Sequence, residues 1–291
     1  MDKSAAEAPE SFGLDDAALA ERATVYAPGA LKGQVALISG GAGGIGRATA
    51  WLFARLGAHV VVAGRSEGKL DAVVSALQAH GLSASRHAVD IREPDSIHAL
   101  FDRVWAEHGR LDILVNSAGG QFPQAAIDFS TKGWNAVVNT NLNGTWFMMQ
   151  AAAQRWRHAE RPGSIVNIVV VTNHGLYGVA HTIAARAGVI ALSRSVAVEW
   201  APLSVRVNCI APGAIETEGW KVYSPEARAA YPRTNPMLRA GSAWDIAEAC
   251  MYLGGPSAAF VTGELLTVDG GGQLWGETWT IGKPDYFKDK S

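Results

Sequence analysis

Two cysteines, Cys209 and Cys250, are all the thiol chemistry in 291 residues, too few for a disulfide framework and without the spacing of a Zn site. Charge is also scarce. Asp, Glu, Lys and Arg make up 18% of the chain and sum to −2, with a pI near 6.4, so there is no basic footprint for nucleic acid or membrane. No apolar run reaches about 18 residues, and no membrane span is expected. Residues 1–10 carry charge where a secretion signal needs an apolar stretch. Hydrophobic residues at 48% exclude a disordered chain and favour a compact interior. A cytoplasmic globular protein without a metal is expected. Glycine is the abundant residue, at 32, and its placement carries most of the functional reading.

Residues 1–30, rich in Ala, Glu and Asp, read as an arm outside the core, 31–275 as one domain, and 276–291 as a tail. Within the domain, short apolar runs alternate with helical periodicity. Strands are expected at Val35–Ile38, His59–Ala63, His87–Asp90, Leu111–Asn116, Ser164–Val171, Val205–Ile210 and Leu265–Val268. Helices are expected at Ile45–Leu56, around Leu70–Leu77, at Ser96–Glu107, Trp134–Arg157, His181–Trp200 and Ala243–Leu253. Near-continuous Val/Ile/Leu strands separated by helices imply an α/β fold: a single doubly wound Rossmann domain, its mostly parallel sheet flanked by helices.

The segment Ser39, Gly40, Gly41, Ala42, Gly43, Gly44, Ile45, Gly46 lies between the first strand and the first helix. Glycines there let backbone approach a pyrophosphate, and the helix N-terminus supplies N–H donors. About 20 residues on, where NAD binding wants an acidic residue for the ribose hydroxyl, the chain has Gly64 and Arg65. An arginine fork suits a 2′-phosphate, so NADP(H) is the expected cofactor, with Glu67 nearby as a counter-signal.

These glycines, with Asn116-Ser117-Ala118-Gly119, Asn141, Pro212-Gly213, Thr217 and Asp269-Gly270-Gly271, resemble the short-chain dehydrogenase/reductase family over residues 33–272. The resemblance implies that Asp90 and Ile91 bracket an adenine, that Asn116, Ala118 and Gly119 line the crevice, and that Ile215 and Thr217 contact the nicotinamide carboxamide. It also implies a homotetramer paired through helices around 134–157 and 181–200, with small residues at Gly144, Ala151–Ala153 and Ala184–Ala187.

The chain departs from the family at the reacting groups. The family's proton relay is a Tyr, a Lys four residues later and a Ser about 13 residues before the Tyr. Here Thr182 stands at the Tyr position, Arg186 at the Lys position and Val169 or Val170 at the Ser position, while Asn141 survives. A threonine hydroxyl is no acid near neutral pH, and arginine keeps its proton. Reduction of a C=C bond conjugated to a thioester avoids the difficulty, because it builds charge on an oxygen that needs donors rather than a tuned phenol. Asn141, Thr182 and a neighbouring tyrosine are the expected donors, and Arg186 is expected to hold the ribose.

Four segments resemble the peroxisomal-type trans-2-enoyl-CoA reductase branch: Tyr26–Gly29, Gly119–Phe122, Ser164–Ile168 and Ala184–Val189. That branch also lacks the Tyr/Lys pair. The dienoyl-CoA reductases place a Tyr where this chain has Val171, and the ending Lys288-Asp289-Lys290-Ser291 is no peroxisomal signal. The expected substrate is therefore an acyl-CoA. Tyr177 is the candidate proton donor or an aromatic wall, with His181 and His174 behind it. Trp220, Trp275 and Trp279 fall where a substrate cleft would be walled. Two other readings stay open: an alcohol or carbonyl dehydrogenase, for example on a terpenoid, with a relocated acid/base, and a nucleotide-binding protein without turnover.

Overall fold

The computed structural model describes residues 12–275. Residues 1–11 of the expected arm, the tail 276–291 and Trp279 lie outside the described residues. Seven parallel strands form the central sheet: β1 (Val35–Ser39), β2 (His59–Gly64), β3 (Ala84–Ala88), β4 (Ile113–Asn116), β5 (Gly163–Ile168), β6 (Val205–Pro212) and β7 (Leu265–Val268). Their order is β3-β2-β1-β4-β5-β6-β7. The nine α-helices of the described residues are α1 (Asp16–Glu21), α2 (Gly44–Arg55), α3 (Glu67–Ala79), α4 (Pro94–His108), α5 (Thr131–Val138), α6 (Thr145–His158), α7 (Ala180–Trp200), α8 (Pro225–Ala230) and α9 (Ala243–Gly254).

The strands bury both faces, which is why they read as unbroken apolar runs rather than alternating ones. Along β1, Ala36 and Ile38 join the core beneath α2, α3 and α9, while Val35 and Leu37 join the core beneath α4, α6 and α7. Strand order reverses between β1 and β4, where a doubly wound sheet opens a crevice at its carboxyl edge. In that register Ser39 pairs with Asn116 and Asn116 with Asn167, so three polar residues meet at the bottom of the crevice.

Several strand ends shift by two or three residues, β5 stopping at Ile168 rather than Val171, and four further features differ from the expected layout. The third strand is Ala84–Ala88 rather than 87–90, because an edge strand tolerates polar residues such as Ser85 and Arg86 that break an apolar run. The helical region expected at 134–157 starts at Thr131 and contains a π turn, Asn139–Gly144, between α5 and α6. The described part of the arm, which carries the short helix α1, is not outside the core, because its Leu19 is 1% exposed within it. Helix α8 has no apolar stripe and was not expected; Ser224 caps it. Among the described residues no helix is long and apolar enough to cross a membrane.

Candidate active site

At the end of β1 the chain turns through Gly40 with φ +71°, and a Cβ there would lie 2.7 Å from the amide nitrogen of Ala118. Only glycine permits both the left-handed backbone and this approach. Helix α2 then starts without a side-chain cap from its own N-cap, Gly43. The amide of Gly44 instead donates to the Glu218 carboxylate at 3.0 Å. A carboxylate drawn onto this helix start marks it as a place where an anion is stabilised, as the pyrophosphate of a dinucleotide would be. The residues present fit such a cofactor. Ser39 and Asn116, 1% and 2% exposed, lie behind the crevice. Ser39 accepts from the Ala118 amide at 3.3 Å, and Asn116 donates to Asn167 at 2.9 Å.

Above this floor is a cavity of about 620 Å³. Gly40, Gly44 and Ile45 line it from the first turn, and Ala118 and Gly119 from the end of β4. Pro212, Gly213, Ile215 and Thr217 line it from the segment after β6. Gly46 sits under the turn, one step into α2, where a Cβ would meet the Gly40 carbonyl oxygen at 2.3 Å. Besides Ser39, Asn116 and Gly46, three more expected cofactor residues lie outside the lining. Arg65 is exposed at the end of β2. Asp90 is bound by Arg92 at 2.5 Å, and this hydrogen-bonded pair holds its carboxyl at about 2. Ile91 is buried against Gly144. Glu67, which had counted against a 2′-phosphate, is engaged by Arg86 at 2.7 Å.

The reacting end of the cavity brings Asn141, Thr182 and Arg186 together. Asn141 lies in the π turn, an irregularity that recurs at functional sites. Its Oδ1 accepts from the Gly120 amide at 3.0 Å, and its Nδ2 donates to the Gly120 carbonyl at 3.0 Å and to Thr182 Oγ1 at 3.1 Å. Thr182 accepts that bond and keeps its own hydroxyl proton to donate. One turn on, Arg186 is buried, and burial pulls its guanidinium down to about 10, still protonated at neutral pH. Its Nη1 donates to the Ile168 carbonyl at 2.8 Å. Its Nη2 would be 2.0 Å from a Cβ on Gly119, so that glycine is the space the guanidinium occupies. Val169, Val170 and Val171 make the adjoining wall apolar.

Other candidates land elsewhere. The lining includes Leu176 rather than Tyr177, which is half-buried beside it. His181 is fully buried, stacked on Phe129 at 4.4 Å and edge-on to Phe122 at 4.7 Å, outside the cavity lining. Burial lowers its pKa, so it is a neutral ring in an aromatic box. His174 is exposed and bonded to the Gln273 carbonyl. Trp220 lines the cavity, whereas Trp275 is 51% exposed and does not. Sequence reasoning missed Gln121, Tyr223, Tyr231 and Glu218, all of which line the cavity. The aromatic density after Thr217 was the available signal for the two tyrosines.

A family model described as enoyl-(acyl carrier protein) reductase matches residues 40–273. A peroxisomal 2,4-dienoyl-CoA reductase ((3E)-enoyl-CoA-producing) of Arabidopsis thaliana is 36% identical over 261 residues, covering 86% of this chain and 87% of its own. A 3-oxoacyl-(acyl-carrier-protein) reductase of Escherichia coli (strain K12) is 36% identical over 241 residues, 82% of this chain and 97% of its own. Among solved structures, a citronellol catabolism dehydrogenase of Pseudomonas aeruginosa PAO1 superposes with a TM-score of 0.78 at 36% identity, covering 86% of this chain and 99% of that one.

Proposed function

The chain belongs to the short-chain dehydrogenase/reductase family of NAD(P)(H)-dependent oxidoreductases, and from that premise we propose that it reduces the C=C bond of an α,β-unsaturated acyl thioester, a trans-2-enoyl-CoA, with NADP(H). One observation carries this reading: the position of the family's phenol is taken by Thr182, whose oxygen accepts from Asn141 at 3.1 Å, beside a buried arginine. Bound NADP(H) supplies the hydride. Gly40, Gly44 and Ile45 hold its pyrophosphate end, Arg65 its 2′-phosphate, and Arg186 its ribose near the nicotinamide. The Thr182 hydroxyl, aligned by Asn141, donates to the thioester oxygen as charge accumulates there. Valine at 169–171 leaves the planar acyl unit an apolar face. Relatives named for dienoyl-CoA and acyl-carrier-protein substrates are consistent with a thioester in this cavity.

The similarity to a citronellol catabolism dehydrogenase supports a second reading, a dehydrogenase of a terpenoid alcohol or aldehyde. Assays of NADPH consumption with crotonyl-CoA, a longer enoyl-CoA and citronellal separate them. Consumption that depends on the CoA thioester is expected. Consumption with citronellal alone would select the second reading, and tight NADPH binding without turnover would make the chain a binding protein.

The proposal also has the chain working as a homotetramer. Ala151–Ala153 and Ala185 are buried within the chain itself, so they serve packing on the sheet. The exposed Ala184, Ala187 and Val198 of α7 are the pairing surface in this reading.

A further inference from the structure

Two phenols line the cavity with no task in the mechanism above, Tyr223 and Tyr231. Tyr231 is 2% exposed, with its ring 4.8 Å from Trp220, and it builds the wall. Tyr223 is half-buried and meets Tyr231 edge-on at 5.7 Å, while its hydroxyl oxygen accepts from Gln121 Nε2 at 2.6 Å. Gln121 directly follows Gly120, whose N–H and C=O are both held by Asn141. The same Asn141 aligns Thr182. The Tyr223 hydroxyl is thus tied, through a single peptide step, to the amide that positions the oxyanion donor.

Enoyl-thioester reduction needs a proton at the α-carbon. Thr182 is committed to the thioester oxygen, and an aliphatic hydroxyl is in any case a far weaker acid than a phenol. Arg186 keeps its protons. We propose that Tyr223 is the proton donor to the α-carbon of the bound enoyl thioester, with Gln121 as its positioning residue; the assignment rests on the enoyl-thioester reading. Once the hydride of the reduced nicotinamide has added at the β-carbon, the former π pair is an enolate shared by the α-carbon and the thioester oxygen. That pair forms the new C–H bond at the α-carbon as the O–H bond of Tyr223 breaks, and the phenolate then takes a proton from water. The Gln121 amide, already on the phenol oxygen, stabilises the charge that grows there. Burial holds the phenol above its ordinary pKa, so it stands protonated at neutral pH and loses its proton only to a strong base such as an enolate.

Tyr223→Phe removes only the hydroxyl. On a trans-2-enoyl-CoA its kcat is expected to fall about 100-fold or more, with KM and the NADPH Kd within about threefold of the parent. In D2O the deuterium that does enter at the α-carbon should lose its facial selectivity, which a purely structural role would not change. Gln121→Leu should lower kcat by about tenfold. Without any turnover, it should also raise the midpoint of the Tyr223 phenolate absorbance titration in cofactor-free protein, seen by difference against Tyr223→Phe. A parent protein inert toward every enoyl thioester overturns the enoyl reading and this assignment with it. An active parent with a folded Tyr223→Phe variant whose kcat stays within about threefold overturns the Tyr223 assignment alone. If Tyr223→Phe does not fold, Gln121→Leu decides on turnover alone, and a kcat within about threefold of the parent overturns the proposal.

Discussion

Around one cavity, residues 40–46 present backbone, and residues 168–231 present side chains. The first wall works by leaving side chains out: a Cβ on Gly40 would strike the Ala118 amide, and one on Gly46 the Gly40 carbonyl. The second works by what it puts in, with Thr182, Arg186, Trp220 and Tyr223 set against three valines. The walls meet at Gly119, whose missing side chain is the seat of the Arg186 guanidinium. A backbone cradle tolerates almost no substitution, so its sequence stays recognisable. A side-chain wall can exchange its chemistry residue by residue while the fold and the cradle persist. The comparison says where function can have changed: on the second wall.

Rebuilding the second wall to the family's usual pair tests that statement most severely. Thr182→Tyr with Arg186→Lys places a phenol where Thr182 is 3% exposed and bonded to Asn141. It also exchanges a planar fork, fixed to the Ile168 carbonyl at 2.8 Å, for a point charge. No hydroxyl stands at Val169 or Val170 to assist a carbonyl substrate. The double variant should lose about 100-fold or more in kcat/KM on an enoyl-CoA and gain little on a matched ketone. Full enoyl-CoA activity, or strong ketone activity, would show that the wall has not been reshaped.

The first wall is sharpened at its rim. Arg65 is exposed at the end of β2 and makes no hydrogen bond or ion pair among the described residues, whereas Glu67 is engaged by Arg86, which also binds Asp71. A charge-assisted contact of about 1.5–3 kcal/mol to a 2′-phosphate corresponds to about 10- to 150-fold in affinity. Arg65→Ala should weaken NADPH binding by that factor and leave NADH within about threefold in fluorescence titrations. NADH bound as tightly as NADPH by the parent protein would remove the assignment.

The same contrast explains what could be read from the chain. β7 was legible to the residue because its run is short, apolar and bounded by Glu264 and Asp269. The glycine turn was legible because sterics leave few alternatives. β3 was misplaced because Ser85, Arg86 and His87 are polar and all half-buried on an edge, giving neither an apolar run nor an alternation. The Gln121–Tyr223 bond joins residues 102 apart across two irregular segments, where no periodicity announces a partner. Thr182 and Arg186 were found because they stand at the family's Tyr and Lys positions, but the use of Gly119 as the guanidinium's seat is visible only in three dimensions.

One side chain crosses from the second wall to the first, and it gives the smallest effect expected. Glu218, just after Thr217, accepts from the Gly44 amide at 3.0 Å and lies 3.5 Å from Arg47. Arg47 in turn binds Asp16 of α1 at 3.2 Å, so the segment over the crevice is tied to both α1 and α2. A pyrophosphate drawn to the start of α2 must displace this carboxylate or bind beside it, and two anions there repel. Glu218→Gln keeps an acceptor oxygen and removes the charge. At an exposed helix start such a charge contributes about 0.3–1 kcal/mol, so NADPH should bind about two- to fivefold more tightly at low salt. The gain should shrink as ionic strength rises, because an exposed carboxylate is screened. Titrations of parent and variant across a salt series measure both quantities. Weaker binding by Glu218→Gln would mean that the carboxylate holds the loaded crevice closed instead of competing for it, and the two walls would then be joined by function as well as by contact.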